Sequence, residues 1–448
     1  MDTTLTFRND WQLLLKYLPE SYEALAHEYK MLQTQYGNAK IETTKQLWHA
    51  LFLHVGAELP LRDTAALLAI TGGPKISPNR IHMKLRRAAP YVQALLTEIS
   101  DHRDGVEPER WAGYEMIAVD GSSVACAGAK GTDARIHAAI RLSDLRIQQA
   151  VVTDSSEGET LRRFFFTSGQ LAIVDRCYAN GNGIAWVRHC NADVIARLNR
   201  GALPLYDEEQ NEIDVVAWAR TLSEGAAQER QVWIYVENDC GNQWIVGRLV
   251  GTKLPADKAE EAQQRLRKEQ GTKVTEESLE MAAYVLVFTT ADSSRLSAGK
   301  VLEAYRLRWQ VELLFKRWKS LGGVDMVPTS RNDTTLAWLS IKLLLGVLVE
   351  RMLGLERGRI SPLCNRRRNP SGRRTIRQYH DEPSASAVPA NESADRPTNL
   401  ETDSPHVPHN HQRAAEYFAG ATHPLHTIDC ESAQSTRWDI VSPPDRFL

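Results

Sequence analysis

Met116-Ile-Ala-Val-Asp-Gly121 is the stretch on which the fold turns. Four apolar residues run straight into a carboxylate and a glycine, the form of a buried strand that ends where the chain must turn. Ala134 to Leu142 and Arg146 to Val152 read as two further strands separated by turn residues, as in a meander. Gln170-Leu-Ala-Ile-Val174 repeats the opening form and ends at Asp175. Helical character from Thr160 to Phe166 and again from Gly183 to Cys190 separates these strands from a fifth, Ala192 to Leu198. Three adjacent strands, then strands alternating with helices, predict a mixed sheet in an α/β layer fold.

Outward from this centre the character changes. Residues 1–108 read as helical. Within them Leu61 to Ile70, the break Thr71-Gly-Gly-Pro74 and Ile76 to Arg87 suggest a helix-turn-helix. Its second helix carries Arg80, Lys84 and Arg87, groups that a DNA-reading helix uses on phosphates and base edges; a plain helical hairpin has the same outline. Residues 200–282 read as a β-rich insertion, with a hairpin around Asp239-Cys-Gly-Asn242 and an alternately charged stretch to Glu280. Strand character returns at Ala283 to Thr289. Residues 361–448 differ again: they hold ten of the 19 prolines and no lysine, and they lack any apolar periodicity, so a disordered, atypical tail is expected.

The whole chain has 448 residues, 42% hydrophobic and 25% charged, which excludes a wholly disordered polymer. A formal charge of -2 excludes a uniformly basic coat but leaves room for a basic patch. Six scattered cysteines without a C-x-x-C pair speak against a zinc ribbon or a disulfide framework. The apolar run Ile341 to Leu355 is broken by Lys342, Glu350 and Arg351, so a buried helix is expected rather than a membrane span, and the expected compartment is the cytoplasm.

Chemistry concentrates in Leu302 to Ser320. As one helix at about 100° per residue, this segment groups Tyr305, Arg308, Glu312, Lys316 and Lys319 on one face. Leu307, Val311, Leu314, Trp318 and Leu321 form the opposite, apolar stripe. The face reads either as surface ion pairs or as a carboxylate beside cations that hold a phosphate backbone. Asp120 and Asp175, each directly after an apolar strand, stand where ligands bind in open α/β folds; each alone is more often a turn or cap residue. Together with Glu312 they suggest a three-carboxylate site. Close like charges of that kind call for divalent cations, and two Mg²⁺ about 4 Å apart serve phosphoryl chemistry.

Here the sequence resembles a known family. Tyr305, Arg308, Glu312 and Lys319 reproduce the Y-(2)-R-(3)-E-(6)-K signature of bacterial DDE transposases of the insertion-sequence-four type. Val119-Asp-Gly121 and Val174-Asp-Arg176-x-Tyr178 are similar to the surroundings of that family's first two acids. The resemblance covers residues 1 to about 360. It implies a ribonuclease-H-like catalytic domain over 109–360 with a β-rich insertion, preceded by a helical DNA-binding domain. It implies Asp120, Asp175 and Glu312 as ligands of two Mg²⁺, with Mn²⁺ as a substitute, and Tyr305, Arg308 and Lys319, with Lys316 beside them, as DNA contacts. The implied partners are double-stranded DNA, as inverted-repeat ends and as target, and a second copy of the chain on DNA. The insertion of family members can supply an aromatic that stacks on a flipped base; Trp233 and Trp244 are candidates, although each reads first as core. Three functions stand open: a cut-and-paste transposase, a hydrolytic nuclease of the same fold, and a DNA-binding relic or repressor without catalysis, the last suggested by the tail.

Overall fold

The computed structural model describes residues 11–32, 40–101, 110–238 except 127 and 130, 241–328 except 321, and 331–365. Of the disordered tail expected over 361–448, residues 361–365 instead continue the last helix, and residues 366–448 lie outside the described residues.

Helical residues 11–15 open the described chain, followed by α1 (Tyr22–Glu28), α2 (Thr44–Leu51), α3 (Leu61–Ile70), α4 (Pro78–Arg86) and α5 (Ala88–Asp101). Their starts follow local chemistry. Thr43 and Gln46 form a reciprocal capping box ahead of α2, and Pro78 opens α4 where a missing N–H costs nothing. The sheet then begins with β1 (Glu115–Val124), β2 (Ala134–Arg141), β3 (Ile147–Asp154), β4 (Gln170–Val174) and, after α6 (Gly181–His189), β5 (Asp193–Arg197). The helix expected from Thr160 to Phe166 is only a single 3-10 turn, Leu161–Arg163. Thr160 caps that turn and the chain leaves it extended at Phe164.

The insertion contributes α7 (Val215–Arg220), the long hairpin β6 (Gln228–Asn238) and β7 (Gly241–Lys253), α8 (Ala256–Gln270) and α9 (Glu276–Met281) before β8 (Tyr284–Thr289). Its hairpin joins the central sheet, since β7 pairs antiparallel with β8 and β8 with β5. The result is one eight-stranded mixed sheet in the order β3-β2-β1-β4-β5-β8-β7-β6. Only β1–β4 and β4–β5 are parallel pairs. This mixed α/β architecture is consistent with a ribonuclease-H-like fold.

Each sheet face is covered. Along β1, Met116 and Ala118 point into a core shared with α1 to α5 and the carboxyl-terminal helices. Ile117 and Val119 point the other way, into a core with α6 and the insertion. After β8 come α10 (Ala298–Arg306), α11 (Trp309–Ser320) and α12 (Asn332–Asn365). The apolar run Ile341 to Leu355 falls within α12; its Lys342, 5% exposed, donates to Glu58 Oε1 at 2.7 Å. Among the described residues no helix is long and apolar enough to cross a membrane.

Candidate active site

Strand periodicity decides which face receives the acids. Side chains alternate in β1 and β4, so Asp120 follows the parity of Met116 and Ala118, and Asp175 that of Leu171 and Ile173. Both carboxylates therefore stand on the face covered by α10 and α11. The segment expected as one helix is two, because Leu307 and Arg308 form a tight turn: the N–H groups of Arg308 and Val311 donate to the carbonyls of Tyr305 and Arg308, three residues back, at 3.1 Å each. The apolar stripe is nevertheless where the periodicity puts it, with Leu307, Val311, Leu314 and Trp318 all buried; Leu321 lies outside the described residues. Over Tyr305, Arg308 and Glu312 the opposite face does not meet open water. It is turned onto the acids.

Arg308 is the hub. Its Nη1 donates to Asp120 Oδ2 at 3.1 Å and its Nη2 to Glu312 Oε1 at 2.5 Å. One guanidinium thus ties a strand-end acid to a helix acid far away in sequence. The Tyr305 hydroxyl, almost fully buried, lies 3.4 Å from Asp175 Oδ1, at the limit of a hydrogen bond. Lys319 donates to the carbonyl of Ser123, on β1 just past Asp120, at 3.2 Å. Lys316 is exposed on α11. Burial pushes Asp120 up to about 7; Arg308 and the Gly121 N–H oppose this, while Asp175 and Glu312 add to it. Burial lowers Arg308, but Tyr305 and the three carboxylates outweigh that and leave it firmly charged.

Further contacts surround Asp120, and no sequence pattern marks them. The Gly121 N–H donates to Asp120 Oδ1 at 2.8 Å. A Cβ at Gly121 would stand 2.8 Å from Glu159 Oε1 and 3.1 Å from the Tyr178 hydroxyl, so glycine is what lets these groups approach the backbone beside Asp120. Tyr178 in turn bonds His137 Nδ1 at 2.9 Å, and His137 Nε2 bonds Thr153 at 3.0 Å. This chain of buried groups links β3, β2 and the turn after Asp175. The pattern signal for Glu159 was absent, since it sits in an exposed-looking loop; Tyr178 was visible only as part of a motif.

The amino-terminal candidates lie elsewhere. Both helices of the expected hairpin are present as α3 and α4. Lys84 turns inward and donates to the Met31 carbonyl. Arg80 is half-buried with Nη1 unpartnered among the described residues, and Arg87 is exposed just after α4. None of the three touches the acids in the described contacts. Trp244, read first as core, is 38% exposed, and Trp233 is half-buried. The hairpin buries Val232, Ile234 and Val236 on one side, and the other side shows Tyr235, Trp244 and Val246. Trp244 packs against Tyr206 and Tyr235, with ring centroids 5.2 and 5.0 Å away.

The donor chemistry suits a hard divalent cation: carboxylate oxygens only, on one face, with Asp120 destabilised as an anion by burial and by its neighbours. Among the described residues no three such side chains are close enough to cage an ion as they stand. The Arg308 guanidinium supplies the positive charge between Asp120 and Glu312 instead.

Comparison with known proteins bears on this arrangement. The family model described as "Transposase DDE domain" matches residues 111–346, more than half of the chain. The transposase for insertion sequence element IS421 of Escherichia coli is 28% identical over 306 residues, covering 66% of this chain and 81% of that protein. The transposase for insertion sequence element IS231F of Bacillus thuringiensis subsp. israelensis is 28% identical over 128 residues, covering 28% of this chain and 26% of that protein. The chain belongs to the DDE transposase family, whose members are generally divalent-metal-dependent enzymes that cleave DNA and transfer its strands.

Proposed function

We propose that this chain is a cut-and-paste transposase of the insertion-sequence-four type, acting on the inverted-repeat ends of its element and joining them to target DNA. The observation that carries the reading is the single guanidinium of Arg308 bridging Asp120 and Glu312, with Tyr305 beside Asp175. Two residues singled out by spacing, Tyr305 and Arg308, reach the two acids singled out by strand endings, and Arg308 ties Glu312 to them; no structural need of a surface helix requires that.

In this reading Asp120, Asp175 and Glu312 would hold two Mg²⁺, for which Mn²⁺ would substitute; bound there, the metal would help to activate the attacking oxygen and stabilise the leaving oxygen at the phosphate. The remaining chemistry belongs to the chain. Tyr305 and the Gly121 N–H orient Asp175 and Asp120. Arg308 opposes the burial that raises Asp120, and with cations bound it would share its carboxylates with them. Lys319 and Lys316 neutralise phosphates of the bound strand. The helical region to residue 108 serves end binding through Arg80 and Arg87, with Lys84 turned inward onto the Met31 carbonyl, and residues 109–360 form the catalytic domain. Two copies on DNA would bring two ends together, in the cytoplasm at the nucleoid.

Product analysis tests this. The full chain is mixed with paired ends, target duplex and Mg²⁺. Joined products with both strands cut are expected. Nicks without joining would favour a hydrolytic nuclease, and a mobility shift without cleavage a DNA-binding relic; either would overturn the proposal.

A further inference from the structure

The carboxyl ends of three neighbouring strands form one line. β1 pairs in parallel with β4 as far as Val119↔Val174, and β4 with β5 as far as Val174↔Ala196. The residues that follow, Asp120, Asp175 and Arg197, therefore stand level, one strand spacing of roughly 4.8 Å apart. They also share a face. Ala118, Ile173 and Ile195, each two residues earlier, all belong to the core beneath α10 and α11. The row across the sheet thus reads acid, acid, arginine.

Arg197 is half-buried at that position. Burial raises the Tyr305 phenol, and Arg197 is the strongest charge opposing that rise, which sets the guanidinium close to the tyrosine beside Asp175. Arg176, directly after Asp175, is exposed, and the like charge of Arg197 acts on it. Among the described residues neither arginine forms an ion pair or donates a hydrogen bond, whereas Arg308, on the other side of Asp175, has two carboxylates. Two adjacent cations that form no ion pair among the described residues, with the Asp175 carboxylate the opposing charge felt by Arg176, stand at the edge of a phosphate-handling centre and are the complement of an anion. A guanidinium also presents a fork that matches two phosphate oxygens.

We propose that Arg197, with Arg176 beside it, binds a DNA phosphate next along the backbone from the one that is cut. This rests on the reading that Asp120, Asp175 and Glu312 hold the cut phosphate. The phosphodiester belongs either to the element's end or to the target, and the chemistry of the two is the same.

The test uses the full chain and the variants R197Q, R197K and R176Q. Binding to end duplex is measured without divalent metal across a salt series. Separately, pre-cut ends are joined to target duplex with Mg²⁺. If the phosphate lies in the end, R197Q and R176Q each lower the salt slope by about 0.9, so that between 50 and 200 mM salt each variant's affinity falls about threefold less than that of the parent chain. R197K, which keeps the charge, retains the slope. If the phosphate lies in the target, end binding is unchanged, and joining falls and loses salt dependence in R197Q and R176Q. Either result supports the proposal. Folded R197Q and R176Q with unchanged slope and unchanged joining would overturn it. Should R197Q not fold, R176Q decides, because Arg176 is exposed. D175N separates the two readings: if it cleaves like the parent, the acid centre falls, while the metal-free salt slope still reports on Arg197.

Discussion

His137 should make the protein acid-labile in a window set by its burial. It is fully buried on β2, with Nδ1 2.9 Å from the Tyr178 hydroxyl and Nε2 3.0 Å from Thr153. Burial, then the charges of Arg163 and Arg135, pushes its imidazole down to about 3. In the unfolded chain the same ring takes a proton near pH 6.5. Between those values only the unfolded state binds the proton, so acid favours unfolding, and stability falls as pH drops through that window. At pH 5 the loss from this one group is about 2 kcal/mol relative to pH 8. Urea midpoints at pH 8 and pH 5 for the parent chain and for His137→Gln measure it, because other titrating groups act in both proteins and cancel in the double difference. The parent should lose about 2 kcal/mol more than the variant. Parallel pH dependences would refute the reasoning, since they would mean that the buried imidazole accepts a proton in place.

Three further outcomes follow from particular contacts. Gly247→Ala would place a Cβ 2.5 Å from Phe288 Cζ and 2.8 Å from the Thr289 carbonyl, and should cost about 1–3 kcal/mol in a denaturant titration. Glu58→Ala would leave the Lys342 ammonium, 5% exposed, with the Gly322 carbonyl at 3.3 Å but no counter-charge, and should destabilise by about 1–3 kcal/mol, with Glu58→Gln costing less because it leaves a hydrogen-bond acceptor. In the amino-terminal region Arg87→Ala should lower the salt slope of end binding, whereas Lys84→Met should chiefly lower the thermal midpoint, because Lys84 already donates to the Met31 carbonyl. Equal slope changes in both would mean that Lys84 swings out to DNA.

The legible part of the site was whatever local pattern encodes. Apolar runs ending in Asp120 and Asp175 gave away strand ends, and period 3.6 found the buried stripe Val311, Leu314, Trp318. What depends on pairing between distant segments was not legible. Arg197 closes its strand as the two acids close theirs, yet only the β1–β4–β5 register shows that the three are level. The break at Leu307 and Arg308 has no glycine or proline to announce it. The insertion's hairpin was recognisable, but its place at the end of the main sheet depends on β7 pairing with β8. Trp244 was read as core because large aromatics usually are; on a hairpin with one covered side, alternation puts it on the other.

The most direct test of the account is a ligand swap at the acids. Asp120→Cys, Asp175→Cys and Glu312→Cys replace a hard oxygen with a soft thiolate, which binds Mg²⁺ poorly and accepts Mn²⁺ more readily. The measurement is cleavage of an end duplex by each folded variant in Mg²⁺ and in Mn²⁺. If the three carboxylates hold the metal ions, each variant should be inactive in Mg²⁺ and recover cleavage in Mn²⁺. Variants that cleave in Mg²⁺ as the parent does would contradict the account.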